Sequence, residues 1–580
     1  MTHQESSQKS ETQSHFPENQ GVVGSSFLGP LCEFNEFRSK ILEDVSQESY
    51  AQLVEQPLDI LLGETLYSEK LRMKRFRANW FTRKRHRADQ KLWGAAYSEL
   101  IKPAAEADRK VLLQRVIHHY ADEIGGHFDP QVYKFATHAA PWGMNWLLNA
   151  ASVQRFLPWG MTQSLNSRLS ILGEVSQLQS LSRKGTILLV PTHQSNIDSI
   201  VIGYIIYLMS LPPFAYGAGL NLYSNPVLSY FMSRLGAYTV DRNKSNLIYK
   251  QTLKNYSTRI LRHGVHSIFF PGGGRSRSGA IESRLKLGLL GTALEAQQEN
   301  LHRGVENSKV FIVPMVMSYH FVLEASSLIE NYLADLGKHR FLPMRDESWQ
   351  IRRVLGFFWK FFSSQSSLTI RVGRPLDVFG NFVDEEGESV GPHGLRLDST
   401  QWLRSLGELT RDPQRDQEYV RELGERLTDR FYQDNTVLTS HLVAFAFFEA
   451  LRMKYPDYDL FRFLRLSPGQ RTLQLADFWP TAEQFYKTLV EKSKAGRFYL
   501  SEELLRGNDP RKWVLEGAQQ LGVFHDAQVV KISDGVISTD DMSLLYYYRN
   551  RLSGYGLSRL AQENVLRSGY GKKDSQGFLE

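Results

Sequence analysis

Two residues with the right chemistry sit five apart. In PTHQSNIDSIVIGYIIYLM, Pro191 to Met209, His193 and Asp198 follow the apolar run TILLV (Thr186 to Val190) and precede a long apolar stretch with helical reach. The run reads as a buried strand, so the pair falls at a strand-to-helix turn. Parallel strands open into a crevice at their C-terminal ends, and the next helix brings N–H groups to it. A histidine there can take a proton from an incoming hydroxyl, while a carboxylate fixes its tautomer and steadies the imidazolium. Alone the pair carries little: with 16 histidines, chance supplies about one His-x4-Asp. A histidine satisfied by a carboxylate in an ordinary loop is the plain alternative.

Two further strand ends add cations. GAYTVDR (Gly236 to Arg242) ends in an arginine, and FFPGGGRSRSG (Phe269 to Gly279) ends in three glycines followed by Arg275, Ser276 and Arg277. Glycines such as Gly273 and Gly274 let the backbone approach a ligand, and two arginines one residue apart can fork a dianionic phosphate. An Arg-Ser-Arg run in a loop more often faces only solvent, but here it directly follows an apolar strand. Lys286, expected in the following helix, could join the cationic floor. A base at one strand end and phosphate-binding cations at two others suit a phosphorylated alcohol whose hydroxyl attacks directly, with no Ser or Cys nucleophile.

The elements that must hold these residues are read from periodicity. TILLVP, FAYGAG (Phe214 to Gly219), AYTV (Ala237 to Val240), HSIFFP (His266 to Pro271) and VFIVPMVMSY (Val310 to Tyr319) alternate with helical stretches, and SLTIRVG (Ser367 to Gly373) adds another strand. That alternation implies an α/β fold with crossover helices on a mainly parallel sheet, flanked by helical N- and C-terminal regions. The expected division is a disordered tail over 1–35, a helical region over 36–165, the sheet domain over 166–380 and a mostly helical region over 400–580. Asn381 to Ser399 reads as a linker or loop. GRFYLS (Gly496 to Ser501) and VVKISDGVIST (Val529 to Thr539) suggest a winged-helix-like module near 480–540, turning at Asp534-Gly535.

Composition narrows the partners. A chain of 580 residues needs two or three domains. Lys plus Arg number 69 against 62 Asp plus Glu, so the net charge of +7 favours anionic partners without naming them. Cys32, the single cysteine, excludes an internal disulfide and a cysteine metal site, and the chain reads as cytoplasmic with no metal. Met1 to Gly21 is polar and reads as neither signal peptide nor anchor. Ile200 to Leu211 is too short to span a bilayer, and Pro212-Pro213 stops it. Lys70 to Arg87 carries nine Lys or Arg interleaved with Phe76, Trp80 and Phe81, and Trp349 to Ser364 packs aromatic residues around Arg352, Arg353 and Lys360. Both mixtures suit a membrane surface. The first would also serve nucleic acid, or be a solvated helix face; for the second a buried helix is the plain alternative.

Taken together the blocks resemble those of the glycerolipid acyltransferases. THQSNID is similar to their His-x4-Asp block, GAYTVDR to the second, FPGGGRSRSG to the third and IVPMVMSY (Ile312 to Tyr319) to the fourth. FDPQVYKFAT upstream and LLYYYRN (Leu544 to Asn550) downstream resemble the long bacterial glycerol-3-phosphate acyltransferases. The resemblance implies a glycerol-phosphate acyltransferase-like fold that moves a fatty acyl group to the sn-1 hydroxyl of glycerol 3-phosphate. Acyl-CoA or acyl-carrier protein would serve as co-substrate, with no cofactor. It implies His193 as general base and Asp198 as its orienter. Arg242, Arg275 and Arg277 would bind the phosphate, with Gly273, Gly274, Ser276 and Lys286 nearby. An anionic membrane surface is then an expected partner, bound peripherally from the cytoplasmic side, and nucleic acid is not. The third block departs from the family's Glu-Gly-x-Arg, because Gly272 stands in the glutamate's place. That leaves open a 1-acylglycerol-3-phosphate acyltransferase, or a non-catalytic lipid-binding protein on the same fold.

Overall fold

The computed structural model describes residues 29–75, 83–103, 105–137, 169–219, 226–337, 368–507, 509–522 and 525–558. Met1 to Gly21, the Trp349 to Ser364 stretch, and the ring-bearing centre of Lys70 to Arg87 lie outside the described residues.

Strand β2 (Thr186–Pro191) is buried at every position, as a run of Ile, Leu and Val covered on both faces must be. Each of its large aliphatic side chains stabilises the core by about 1.5–3 kcal/mol, so the turn that follows starts from a fixed base. On one side it pairs in parallel with β6 (Val310–Tyr319), and on the other with the two-residue β5 (Ser267–Ile268). With β1 (Leu169–Gly173), β3 (Ala215–Gly219), β4 (Ala237–Val240) and β7 (Leu368–Val372), these form a seven-stranded sheet in the order β1-β7-β6-β2-β5-β3-β4. Only the β6–β7 pairing is antiparallel, so the sheet is mainly parallel, as read from the sequence. The strand expected over His266 to Pro271 is shorter, because the chain leaves the ladder after Phe269 and the glycines carry it away from the sheet. Strand β1 was not anticipated; its short LSILG run has one buried position and little pattern to read.

Helices α1 (Gly29–Glu36), α2 (Arg38–Leu53), α3 (Leu58–Arg75), α4 (Arg83–Ile101) and α5 (Glu106–Ile124) precede the sheet. Helix α1 begins inside the stretch expected to be a tail, because Leu31 and Phe34 are buried. Helices α2 and α5 pack on the crossover helix that follows β4, which spans Leu247–Arg262. The basic stretch also differs from the surface reading at one residue. Arg72 turns inward to Glu69 at 2.7 Å, Asp89 at 3.1 Å and Asp241 at 3.8 Å. Lys244 is buried against Glu123 and Glu69 in the same network. The N-terminal helices therefore grip the loop that carries Arg242.

Beyond β7, Asn381 to Ser399 is no linker: it folds into a three-stranded meander, with Phe382–Val383, Ser389–Val390 and Arg396–Leu397 paired antiparallel. Its glycines and acidic residues are turn chemistry, since the Asp384 carboxylate accepts the N–H groups of Glu386 and Glu388. The helix Thr439–Lys454, buried on every face from Thr439 to Leu451, then forms the centre of the C-terminal region, and one continuous core runs from the sheet into it. The hairpin of Lys531–Ser533 and Val536–Ser538 turns at Asp534-Gly535 as expected, but its third strand is Thr472–Gln474. Tyr499–Leu500 pairs instead with Thr436–Val437 beside the sheet, so the expected wing does not form from GRFYLS.

Candidate active site

Thr192 leaves β2, and His193 sits in the turn before the crossover helix Asp198–Leu208. Its Nδ1 lies 2.8 Å from Asp198 Oδ2. Asp198 is fully buried, and its carboxylate also accepts the Gln194 N–H at 2.7 Å, the Ser195 N–H at 2.9 Å and the Tyr319 hydroxyl at 2.6 Å. Four donors on one buried carboxylate leave it only an acceptor's role. The proton between it and the imidazole therefore resides on Nδ1, and Nε2 carries the lone pair. Phe270 packs on the other side, with ring centroids 4.3 Å apart, so ring orientation is set from two directions.

The backbone of this turn is committed. The His193 N–H goes to Glu282 Oε1 at 2.7 Å and the Asn196 N–H to Glu324 Oε1 at 3.1 Å, while Gln194 and Ser195 serve Asp198. None of these four is left to meet an oxyanion. Glu324, buried at the start of the helix Ala325–Leu336, also accepts the Ser195 hydroxyl at 2.8 Å and pairs with Arg275 at 3.4 Å. Burial pushes the Glu324 carboxyl up, an effect opposed by Arg275 and by the two bonds from the turn.

The sheet brings the second and third blocks to the same cleft, of about 660 Å³. Its walls include His193, Asn196, Tyr216, Arg242, Phe270, Gly272 to Arg275 and Arg277. Gly273 takes φ +66°, and a Cβ there would lie 2.9 Å from Lys286 Cγ; one at Gly274 would lie 3.4 Å from an Arg242 Nη1. Only glycine gives that backbone conformation without strain and leaves room for both cations. The loop closes at its base, where the Lys286 N–H reaches the Pro271 carbonyl at 2.7 Å.

Not every expected residue faces the cleft. Ser276 donates its hydroxyl to the Ala280 carbonyl at 2.6 Å and its N–H to the His193 carbonyl at 2.7 Å, so it shapes the loop. Lys286 precedes the helix Leu287–His302 as its cap residue and lies against Gly273; it is outside the cleft lining. Arg277 lines the cleft but is half exposed and paired with Asp335. The reading from sequence also missed Tyr319, Glu282 and Glu324. Tyr319 closes the fourth block, and its position at a strand end was the available signal. The two glutamates had none. The C-terminal region also braces the loop and strand behind the cleft: Asn550 Nδ2 donates to the Ser278 carbonyl at 2.9 Å, and Arg551 Nη2 to the Met317 carbonyl at 2.8 Å. Among the described residues no His, Cys, Asp or Glu group has a metal-holding arrangement.

Comparison with known proteins shows what the sheet domain is similar to. The family model described as Acyltransferase matches residues 173–318, which contain the first three blocks and the fourth as far as Ser318. Over this segment the chain is similar to acyltransferases. Similar proteins include the glycerol-3-phosphate acyltransferases of Aeromonas hydrophila, 26% identical over 50% of this chain and 32% of that protein, and of Shewanella frigidimarina, 29% identical over 48% and 31%. That of Haemophilus influenzae is 31% identical over 30% of this chain and 21% of its own length. The chain thus spans about a third or less of the curated relatives it matches. A solved 1-acyl-sn-glycerophosphate acyltransferase from Thermotoga maritima aligns with 59% of this chain and 90% of its own at 15% identity, but with a TM-score of 0.24 it carries no argument.

Proposed function

We propose that this protein transfers a fatty acyl group from a thioester, acyl-CoA or acyl-carrier protein, to the sn-1 hydroxyl of glycerol 3-phosphate, the first step of phospholipid synthesis. The observation that carries this reading is the His193–Asp198 pair, its Nδ1 tied to a buried carboxylate, in one cleft with Arg242, Arg275 and Arg277. The guanidinium groups hold the acceptor phosphate, and His193 Nε2 takes the proton of its hydroxyl. The oxygen attacks the thioester carbon; the C–S bond then breaks, and the thiolate leaves with the proton from the imidazolium. Because the N–H groups of residues 193–196 are committed, the oxyanion is met from the opposite wall, by Arg275 at the end of the Gly272–Gly274 loop. Asp198 keeps its proton-acceptor bond throughout and acts by orientation and charge. The acceptor is supported by the substrate in the relatives' names and by the cationic wall of the cleft.

No helix among the described residues is long and apolar enough to cross a membrane. An acyl chain nonetheless has to be delivered to and released from a bilayer. We therefore propose peripheral attachment to an anionic membrane surface, supported by the basic and aromatic composition of Lys70 to Arg87 and Trp349 to Ser364.

Release of coenzyme A from palmitoyl-CoA, with glycerol 3-phosphate and lysophosphatidate offered separately, tests the assignment. Turnover with glycerol 3-phosphate alone is expected, falling by roughly two to four orders of magnitude in His193→Ala as for loss of a general base. Turnover only with lysophosphatidate would move the acceptor one step along. Silence with both acceptors and both donors would end the catalytic reading.

A further inference from the structure

Gly272 leaves a space in the third block, and the structure shows what stands in it. A Cβ at Gly272 would lie 3.0 Å from Glu282 Cγ and 3.4 Å from Glu282 Oε1. That same Oε1 accepts the His193 N–H at 2.7 Å. The other oxygen, Oε2, is buried with no hydrogen-bond partner among the described residues. Two contacts fix the segments to one another: the Ser276 N–H holds the His193 carbonyl and the Glu282 side chain holds the His193 N–H, so the 272–282 loop clasps residue 193 on both sides of its Cα. The loop is held in turn from the C-terminal region. The Tyr547 carbonyl oxygen lies 2.2 Å from where a Cβ at Gly279 would sit, and Asn550 binds Ser278.

We propose that Glu282 is a positioning residue for His193: from ten residues downstream it supplies the carboxylate that Gly272 cannot, and fixes the backbone from which the base projects. This rests on the acyl-transfer reading above. Gly272 is not in the left-handed region, so its backbone admits a side chain. The obstacles are Glu282 itself and the Gly274 carbonyl at 3.2 Å, and the second of these needs to yield only slightly. Gly272 and Glu282 thus form an exchangeable pair, a small residue making room for a large one.

The electrostatics agree. Burial pushes the Glu282 carboxyl up to about 7, opposed by the His193 N–H, its own N–H and Arg551, and assisted by the charge of Asp198. Tyr432 is a further titratable neighbour, and its hydroxyl is pushed up by burial.

The test uses the full-length protein and three variants. Glu282→Ala leaves the His193 N–H without its acceptor and should lower kcat by about tenfold to a hundredfold, with little change in the acceptor KM. Glu282→Gln keeps an acceptor oxygen and should restore most of that loss. Gly272→Glu placed in Glu282→Ala returns a carboxylate to the same space and should also recover kcat. A Glu282→Ala kcat within about twofold of wild type overturns the proposal, as does failure of both Glu282→Gln and Gly272→Glu to recover activity. A second readout is independent of turnover. In protein labelled with 15N-histidine, the His193 amide, assigned by its loss in His193→Gln, should titrate near neutral pH and lose that step in Glu282→Gln. An identical titration in Glu282→Gln refutes the contact. If wild type transfers no acyl group, the acyl-transfer reading fails and the amide titration still decides Glu282.

Discussion

Replacing Asp198 by asparagine separates the two roles proposed for its carboxylate, holding the His193 tautomer and supplying charge. In this turn the amides of Gln194 and Ser195 both point at Oδ2, so an asparagine is forced to place its carbonyl oxygen there. The NH2 group then faces Tyr319, whose hydroxyl can accept as well as donate. The Nδ1–H tautomer of His193 therefore survives, and only the negative charge is lost. An imidazolium about 4 Å from a carboxylate, at an effective dielectric constant near 20, is stabilised by at most about 4 kcal/mol. Part of this returns through solvent, because the His193 side chain is 12% exposed. The expected loss in kcat is about a hundredfold to a thousandfold, as each 1.36 kcal/mol is tenfold, with KM for both substrates nearly unchanged. Asp198→Ala should do worse, since it strands the buried Tyr319 hydroxyl and two amides at about 1–3 kcal/mol each. The assay is coenzyme A release at saturating substrates, with thermal unfolding measured alongside. An Asp198→Asn loss below about tenfold would refute a charge role. A loss as large as that of His193→Ala would show that the tautomer is not held by the turn.

Three other outcomes are expected. Arg242→Ala should raise the glycerol 3-phosphate KM by about tenfold to a hundredfold, the loss of a charge-assisted bond to phosphate, and leave kcat close to wild type. Arg275→Ala should affect both, because it also removes the cation beside buried Glu324; equal effects of the two variants would refute this division. Stability should reflect Glu282: its folded value near 7, against 4.5 unfolded, means the folded state retains a proton that the unfolded chain releases. Stability is therefore lost as pH rises from about 4.5 through 7, by about 3 kcal/mol at most. Glu282→Gln should melt increasingly above wild type across that window, and a difference independent of pH would contradict the burial argument. Finally, the protein should sediment with anionic vesicles at low salt and be released as salt rises; equal binding to zwitterionic vesicles would refute an electrostatic surface.

The sheet and the cleft were legible for one reason: parallel strands buried on both faces leave long apolar runs, and their ends are marked by abrupt polarity. TILLVP, AYTV and VFIVPMVMSY are such runs, and His193 and Arg242 follow directly from two of them. Asp198 was legible because five residues across a strand-to-helix turn bring a side chain back to its start. The glycine loop carried its own conformational signal. These local rules also misled. Ser276 and Lys286 share the loop's charge and polarity, yet backbone geometry turns one inward and sets the other behind Gly273. Asn381 to Ser399 looked like a linker because short strands closed by Asp turns leave no periodicity.

What the sequence determined by itself is the order of blocks on a mainly parallel sheet, and with it the placing of His193, Asp198 and the arginines at strand ends. Only the tertiary structure decided who completes them. Tyr319 lies 121 residues from Asp198 along the chain, Glu324 129 from Ser195, Glu282 89 from His193 and Asn550 272 from Ser278. No periodicity reports on such separations. A buried carboxylate or amide is paired by whichever partner the packing delivers, and that choice is made by the fold as a whole.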